Sequence, residues 1–192
     1  MRSRVIGTVS IVIGVALLLT SALLLVIRFR EKQAASVDVA AVISQIENVL
    51  PERYAGIIEQ RTNSDMPALE INGTDYIGLL ELLGRSIKLP VGSLWGKSDF
   101  GYRPARYTGS VYDGSLIIGG RYDDGNFDFS DKLNAGEEVT FTDMTGGVFR
   151  YTVEKITHAD NAKTETLTET NCELLLFVKK ENTFLLIQCK AA

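Results

Sequence analysis

From Ala68 to its end, the chain is a succession of short apolar runs separated by turn-forming residues. Two runs, Leu69-Glu70-Ile71 and Tyr76–Leu83, flank Asn72-Gly73, a pair typical of a tight hairpin turn. The other runs are Ile87–Val91, Ser115–Ile118, Glu138–Thr142, Gly147–Ile156, Glu173–Lys179 and Thr183–Cys189. About eight short strands with one weakly helical segment predict a mainly β domain, closed as a barrel or packed as a sandwich.

Residues 1–32 are predicted to form a membrane anchor with basic flanks. Val5–Ile27 is a run of 23 residues without a charge, and as a helix it would span about 34 Å. This length exceeds the roughly 30 Å hydrocarbon core of a bilayer and the apolar core of a secretory signal, which favours a retained transmembrane helix. Basic residues stand on both sides, so positive charge does not determine the orientation: Arg2, Arg4, Arg28, Arg30 and Lys32.

Residues 33–66 are predicted as a stalk helix and a linker. In Ala34–Leu50 the apolar residues recur at helical spacing, and Pro51 follows. Glu52–Met66 is polar and ends in Asp-Met-Pro, a loop signal. The third region, 67–192, contains the predicted strands.

Charge and composition exclude several classes of function. Residues 1–32 hold 5 of the 20 Lys+Arg and 1 of the 24 Asp+Glu, so the rest of the chain carries 15 against 23, a balance of −8. Such an acidic portion does not attract a phosphate backbone, and we expect no nucleic-acid partner. With one His and two Cys, the chain has no Cys/His cluster at metal-ligand spacing, and we expect no cofactor.

Several segments between about Met66 and Lys190 stand in an informative order and spacing. They are Tyr76–Leu82, Lys88–Val91 with Trp95, Arg106–Tyr112, Ser115–Phe127, Val139–Met144, Val148–Val153 and the closing hairpin Glu173–Lys190. Together they resemble a small sortase domain of clostridial type, from the cysteine transpeptidases of Gram-positive cell surfaces. The resemblance implies an eight-stranded sortase-like β-barrel outside the cell, held by a single-pass plasma-membrane helix whose N-terminus is cytoplasmic.

The same resemblance implies that the catalytic positions are replaced. A sortase needs a Cys thiolate, a His that moves a proton and an Arg that stabilises the oxyanion. In the family, the His follows an Ile-(Ile/Ala)-Ala-Gly stretch, and here Arg121 follows the matching segment. The family's Cys position falls at Lys179 and its Arg position at Phe184.

These replacements favour a pseudo-sortase, an extracytoplasmic protein that binds a sorting-signal peptide or a cell-surface partner without catalysis. The alternative is a divergent cysteine transpeptidase that cleaves cell-wall sorting signals. In that alternative Cys172 is the nucleophile and His158, expected in a polar loop, assists it.

Two further patterns allow more than one interpretation. Cys172 and Cys189 flank the last hairpin, and pairing of Lys180 with Thr183 would place them diagonally, which allows a disulfide or two separate thiols. A second pattern resembles the start of a calcium loop, but Phe129 stands where the loop requires Gly, and we predict no metal site there: Asp124, Asn126 and Asp128.

Overall fold

The computed structural model describes residues 14–15, 17–24, 39–50, 65–95, 103–122, 127–159, 172–180 and 183–192. The chain divides into two units, Met1–Asp38 and Val39–Ala192. In the first unit, residues 14–15 and 17–24 are helical and their side chains are exposed. No helix among the described residues has the length and apolar character that crossing a membrane requires. Most of the predicted anchor, Val5–Ile27, lies outside the described residues.

The described part of the second unit consists mainly of strands. They are β1 (Leu69–Ile71), β2 (Thr74–Leu82), β3 (Ile87–Gly92), β4 (Ala105–Thr108), β5 (Leu116–Arg121), β6 (Glu138–Asp143), β7 (Val148–Ala159), β8 (Leu174–Lys180) and β9 (Thr183–Ala191). Short 3₁₀ helices occupy Leu83–Arg85 and Ser130–Lys132. The predicted strands are confirmed, and β4 is an additional one.

Eight of these strands close into a barrel, as predicted. Their order is β2-β3-β4-β5-β8-β9-β7-β6, and β6 pairs back onto β2 through Gly78 and Asp143. The β3–β4 and β5–β8 pairs are parallel, and β1 extends β2 as a short hairpin partner. The hairpin turn has positive φ at Asn72 (52°) and Gly73 (77°), which explains why this residue pair occupies it.

The barrel interior is filled by inward-facing residues of most strands. On β8 these are Leu174, Leu176 and Val178, all fully buried. Because side chains alternate between the two faces of a strand, the intervening residues of β8 point outwards. This alternation decides which residues form the candidate site.

The predicted stalk helix is part of the barrel unit. Residues 39–49 are helical, and Val42 and Ile46 are buried against Ile71, Tyr76 and Leu79. These two residues are one helical turn apart and therefore lie on one face. The compact unit that includes the barrel begins at Val39. Residues 34–38 of the predicted helix and 51–64 of the linker are outside the described residues.

Candidate functional site

The three positions that the resemblance singled out lie side by side on the barrel. Arg121, the last residue of β5, is the register partner of Lys179 on the parallel strand β8. Lys179 is in turn the partner of Phe184 on β9, and Phe184 pairs with Ala159 on β7. Neighbouring strands are about 4.8 Å apart, so these side chains lie next to one another on the same face. We call Arg121, Lys179 and Phe184 the cross-strand row.

The cross-strand row is accessible and positively charged. Arg121 and Lys179 are exposed, and Phe184 is half-buried. Neither cation forms an ion pair with a described residue. Guanidinium and ammonium groups only donate hydrogen bonds, so this row presents donors for an anion next to an aromatic ring.

A second group of outward-facing residues fills the barrel surface next to the row. Ile117, Leu175, Phe177 and Leu186 are buried on this face, and we call them the outer cluster. The Phe177 ring packs edge-on against Trp95 and Tyr107, with 5.3 Å between ring centroids in each case. Trp95 is held beside β4 by its backbone N–H, which donates to the Arg106 carbonyl at 2.7 Å.

Gly119 makes room for this packing. A Cβ on Gly119 would lie 2.4 Å from Phe177 Cζ and 2.9 Å from Trp95 Cε3, closer than van der Waals contact allows. Side chains of the protein itself therefore occupy the space beside the cross-strand row. The apolar surface there is covered, and the row is its accessible margin.

A polar clamp holds the end of β8 from the opposite face. Lys180 Nζ is 2.6 Å from Asp131 Oδ2 and 4.0 Å from the centroid of the Tyr122 ring. The Tyr122 backbone N–H donates to the Lys179 carbonyl at 3.0 Å. Hydrogen bonds from Lys180 and Tyr122 lower the pKa of Asp131 against the effect of burial. The sequence analysis missed this clamp because its members are far apart in the chain.

The alternative nucleophile and its predicted helper are not brought together. His158 lies on strand β7, not in the predicted loop, and pairs with Leu185, which faces Val178 near the end of β8. Cys172 precedes Leu174 at the other end of β8 and packs against the outer cluster. The four residue steps from Leu174 to Val178 alone span about 13 Å. The thiol and the imidazole are therefore too far apart to exchange a proton directly.

The two cysteines are separate thiols in the structure. The predicted register is confirmed, since Lys180 pairs with Thr183 and Leu174 with Cys189. Cys189, however, is buried among the interior residues, whereas Cys172 packs on the outer face. The disulfide that the register allowed is therefore absent from this part of the chain. Burial raises the pKa of the Cys189 thiol to about 12, which makes it a poor nucleophile.

The calcium-loop resemblance receives no support. Asp124 and Asn126 lie outside the described residues, and of that pattern only Asp128 is described. Within the described residues, no three acidic, His or Cys side chains are grouped as metal ligands.

An open pocket of about 330 Å³ lies on the β4 side of the outer cluster. It is lined by Leu94, Arg106, Tyr107, Thr108, Gly109 and Asp113. Arg106 Nε donates to the Ser93 carbonyl at 3.0 Å, and Asp113 accepts hydrogen bonds from Ser115. Both charged residues thus already serve the local structure.

Solved structures with a similar fold are sortases. Sortase A from Corynebacterium diphtheriae is 16% identical with a TM-score of 0.54, and the alignment covers 62% of this chain and 61% of that one. The Clostridium perfringens sortase D5 transpeptidase is 14% identical with a TM-score of 0.52, and the alignment covers 62% of this chain and 79% of that one. C. perfringens sortase C, solved with the C-terminal cell wall sorting motif, is 16% identical with a TM-score of 0.53, and the alignment covers 62% of this chain and 71% of that one.

These similarities show that the chain has the sortase fold. At such identities they establish the fold alone, and the match spans about three fifths of the diphtheria sortase A. The sequence matches no protein-family model and no curated protein.

Proposed function

We propose that this sortase-fold chain is a membrane-anchored, extracytoplasmic member of the sortase family that has lost transpeptidase chemistry. Its function would be to bind a peptide or a partner protein at the cell surface. The observation that supports this proposal best is the cross-strand row. Three positions that were aligned separately with the family's His, Cys and Arg are register partners on adjacent strands.

The residues of that row cannot perform the family's reaction. Thiol transpeptidation needs a nucleophile that attacks a peptide carbonyl and a group that takes and returns a proton. Arg121 in place of His has no basic nitrogen available near neutral pH, and Lys179 in place of Cys offers no thiolate. Phe184 in place of Arg has no hydrogen-bond donor for an oxyanion.

Membrane anchoring is supported by the N-terminal sequence. Val5–Ile27 carries no charge, and its described helical residues expose apolar side chains such as Leu18 (73%) and Leu19 (66%). A helix that is apolar on all sides needs a lipid or protein environment. The orientation with the N-terminus in the cytoplasm follows the family and can be tested by protease protection of the barrel in intact cells.

Catalysis is tested with the full chain in a neutral detergent. The chain is incubated with a panel of sorting-signal peptides, and mass spectrometry is used to detect cleavage products or an acyl-enzyme. We expect neither, and we expect peptide binding to be unchanged in Cys172→Ala. Cleavage that disappears in Cys172→Ala would establish the transpeptidase alternative instead.

A further inference from the structure

We infer that the cross-strand row binds an acidic segment of a partner polypeptide. This inference rests on the proposed binding function and adds the chemistry of the partner. The backbones of Arg121 and Lys179 are about one strand spacing apart, and both side chains leave the same face of the sheet. Their like charges repel each other, and a carboxylate between them would relieve that repulsion while accepting hydrogen bonds from both.

The row differs from other cationic groups of the barrel. Five of the other cations form ion pairs, with a carboxylate oxygen between 2.5 and 3.2 Å from the side-chain nitrogen: Arg85, Lys88, Arg150, Lys180 and Lys190. Arg121 and Lys179 stand next to each other without such a partner among the described residues. Within the part of the barrel that the structure describes, many cations are thus neutralised, and Arg121 and Lys179 are two adjacent ones that can bind an external anion.

The charge of the rest of the chain makes this site selective. Beyond residue 32 the chain has 15 Lys+Arg against 23 Asp+Glu, so most of its surface repels acidic molecules. An acidic segment is therefore attracted to a limited region rather than to the whole domain. Such an electrostatic contact weakens as salt is added.

The third residue of the row indicates that the occupant is a polypeptide rather than a small anion. The half-buried Phe184 ring lies next to Lys179 and offers an apolar contact beside the charge. Because the outer cluster is already covered, the partner would lie across the row and not enter a deep groove. An extended peptide with an acidic and an apolar residue two positions apart presents both on one face.

The probe is the peptide (Leu-Ser-Asp-Ser)2-NH2 with a neutral fluorophore on its N-terminus, whose Leu and Asp side chains share one face when extended. Its binding to the full chain is measured by anisotropy at low and high salt. The Asn analogue is the neutral control, and we expect it to bind about tenfold more weakly. Inorganic phosphate is added as a competitor and is expected not to displace the Asp peptide at an equal concentration.

The variants separate a local site from a general charge effect. Arg121→Gln with Lys179→Gln should lower Asp-peptide binding to the level of the Asn peptide. The control pair Arg150→Gln with Lys190→Gln changes the net charge equally at exposed positions away from the row, and it should alter binding less than about twofold. The variant with both Arg121→Glu and Lys179→Glu should instead bind a Lys analogue of the peptide more tightly than the Asp peptide.

The other possible results of these measurements would contradict the inference, the proposed function or both. If none of these peptides binds but the sorting-signal peptides do, the inferred acidic partner is wrong and the proposed binding function stands. If the sorting-signal peptides also fail to bind, the proposed binding function is wrong as well. If the Asp and Asn peptides bind equally, the protein binds peptides but the inferred preference for acid is wrong. If the Asn peptide with a free C-terminal carboxylate binds as well as the Asp peptide, or if phosphate displaces the probe, the occupant is not an acidic segment.

Discussion

Arg121 and Lys179 are register partners at the ends of the parallel strands β5 and β8, although a long stretch of chain separates them. The pairing brings two exposed positive charges together on the outer face of the barrel. Both are positions that the sequence resemblance implies for reactive groups of the family.

The first prediction concerns the packing beside the row. Gly119→Ala should destabilise the protein by about 1–3 kcal/mol, because the new methyl group meets the Phe177 ring at 2.4 Å. Phe177→Leu removes the outer ring atoms, so the double variant should be less destabilised than the sum of the two single changes. Chemical denaturation measures the free energy of unfolding of the two single variants and of the double variant.

Gly84→Ala is the control for this comparison of single and double variants, since a Cβ at residue 84 would meet no atom within 4 Å. It should change the free energy of unfolding by less than about 0.5 kcal/mol. A Gly119→Ala protein as stable as the control would show that Phe177 does not occupy this space.

The second prediction concerns the thiols. In the native protein near pH 8, Cys189 should resist a thiol reagent, because burial raises its pKa to about 12 and blocks access. After denaturation without a reductant, both thiols should react. A Cys189→Ser protein serves as the control and should lose only the signal that appears on denaturation. No reaction in the denatured wild-type protein would reveal a disulfide.

The third prediction is a pH dependence that arises from Glu137. Arg85 donates to both of its oxygens, at 2.6 and 2.7 Å, and lowers its pKa from 4.5 to about 2. Because the pKa of Glu137 is lower in the folded protein than in the unfolded chain, its ionised carboxylate stabilises the fold at pH values above 4.5. This contribution is lost as the pH falls towards 2.

Wild-type protein should therefore exceed Glu137→Gln in stability by about 1 kcal/mol at pH 7, after allowance for solvent screening, and the difference should shrink below pH 4.5. Denaturation curves at several pH values provide the comparison. Glu154→Gln, which removes a more exposed ion pair with Lys190, should have little effect at any pH. A pH-independent difference for Glu137→Gln would contradict the assignment.

The fourth prediction concerns Lys88, which links the helix at residues 39–49 to the barrel. Its Nζ is 2.9 Å from the buried Glu81 carboxylate and 2.5 Å from Glu47 on the helix. Lys88→Met removes the cation from a carboxylate that is only 5% exposed, and we expect a loss of about 2 kcal/mol in chemical denaturation.

Glu47→Gln removes the solvent-exposed contact alone and should cost less than about 1 kcal/mol. Adding Glu81→Gln to Lys88→Met should recover part of the loss, because no buried charge then remains. Equal effects of Lys88→Met and Glu47→Gln would show that the buried carboxylate does not depend on Lys88.

Much of the fold could be predicted because strand patterns are local. The turn at Asn72-Gly73, the pairing of Lys180 with Thr183 and most strand positions follow from neighbouring residues. His158 was placed wrongly in a loop, because the polar end of β7 has no alternation that distinguishes it, and only its pairing with β9 makes it a strand.

The site itself depends on contacts between distant segments. Trp95 and Tyr107 contact Phe177 from the β4 side, and the Lys180–Asp131 clamp joins the β8–β9 hairpin to the 3₁₀ helix Ser130–Lys132, with which it shares no motif. The amphipathic pattern of the helix at residues 39–49 indicated an apolar face, but not that this face packs on Tyr76 and Leu79. Local periodicity contains no information about which surface a face will meet.

The sequence by itself determined the β class of the domain, the period and turns of its strands, and the absence of an Arg after Arg150 or a second His. Those properties depend on residue identity and on near neighbours in the chain. Only the tertiary structure decided that Arg121, Lys179 and Phe184 adjoin, that Cys172 and His158 do not, and that the outer face is already packed. The reason is physical: these relationships are set by strand order and barrel closure, which bring together residues that no local pattern connects.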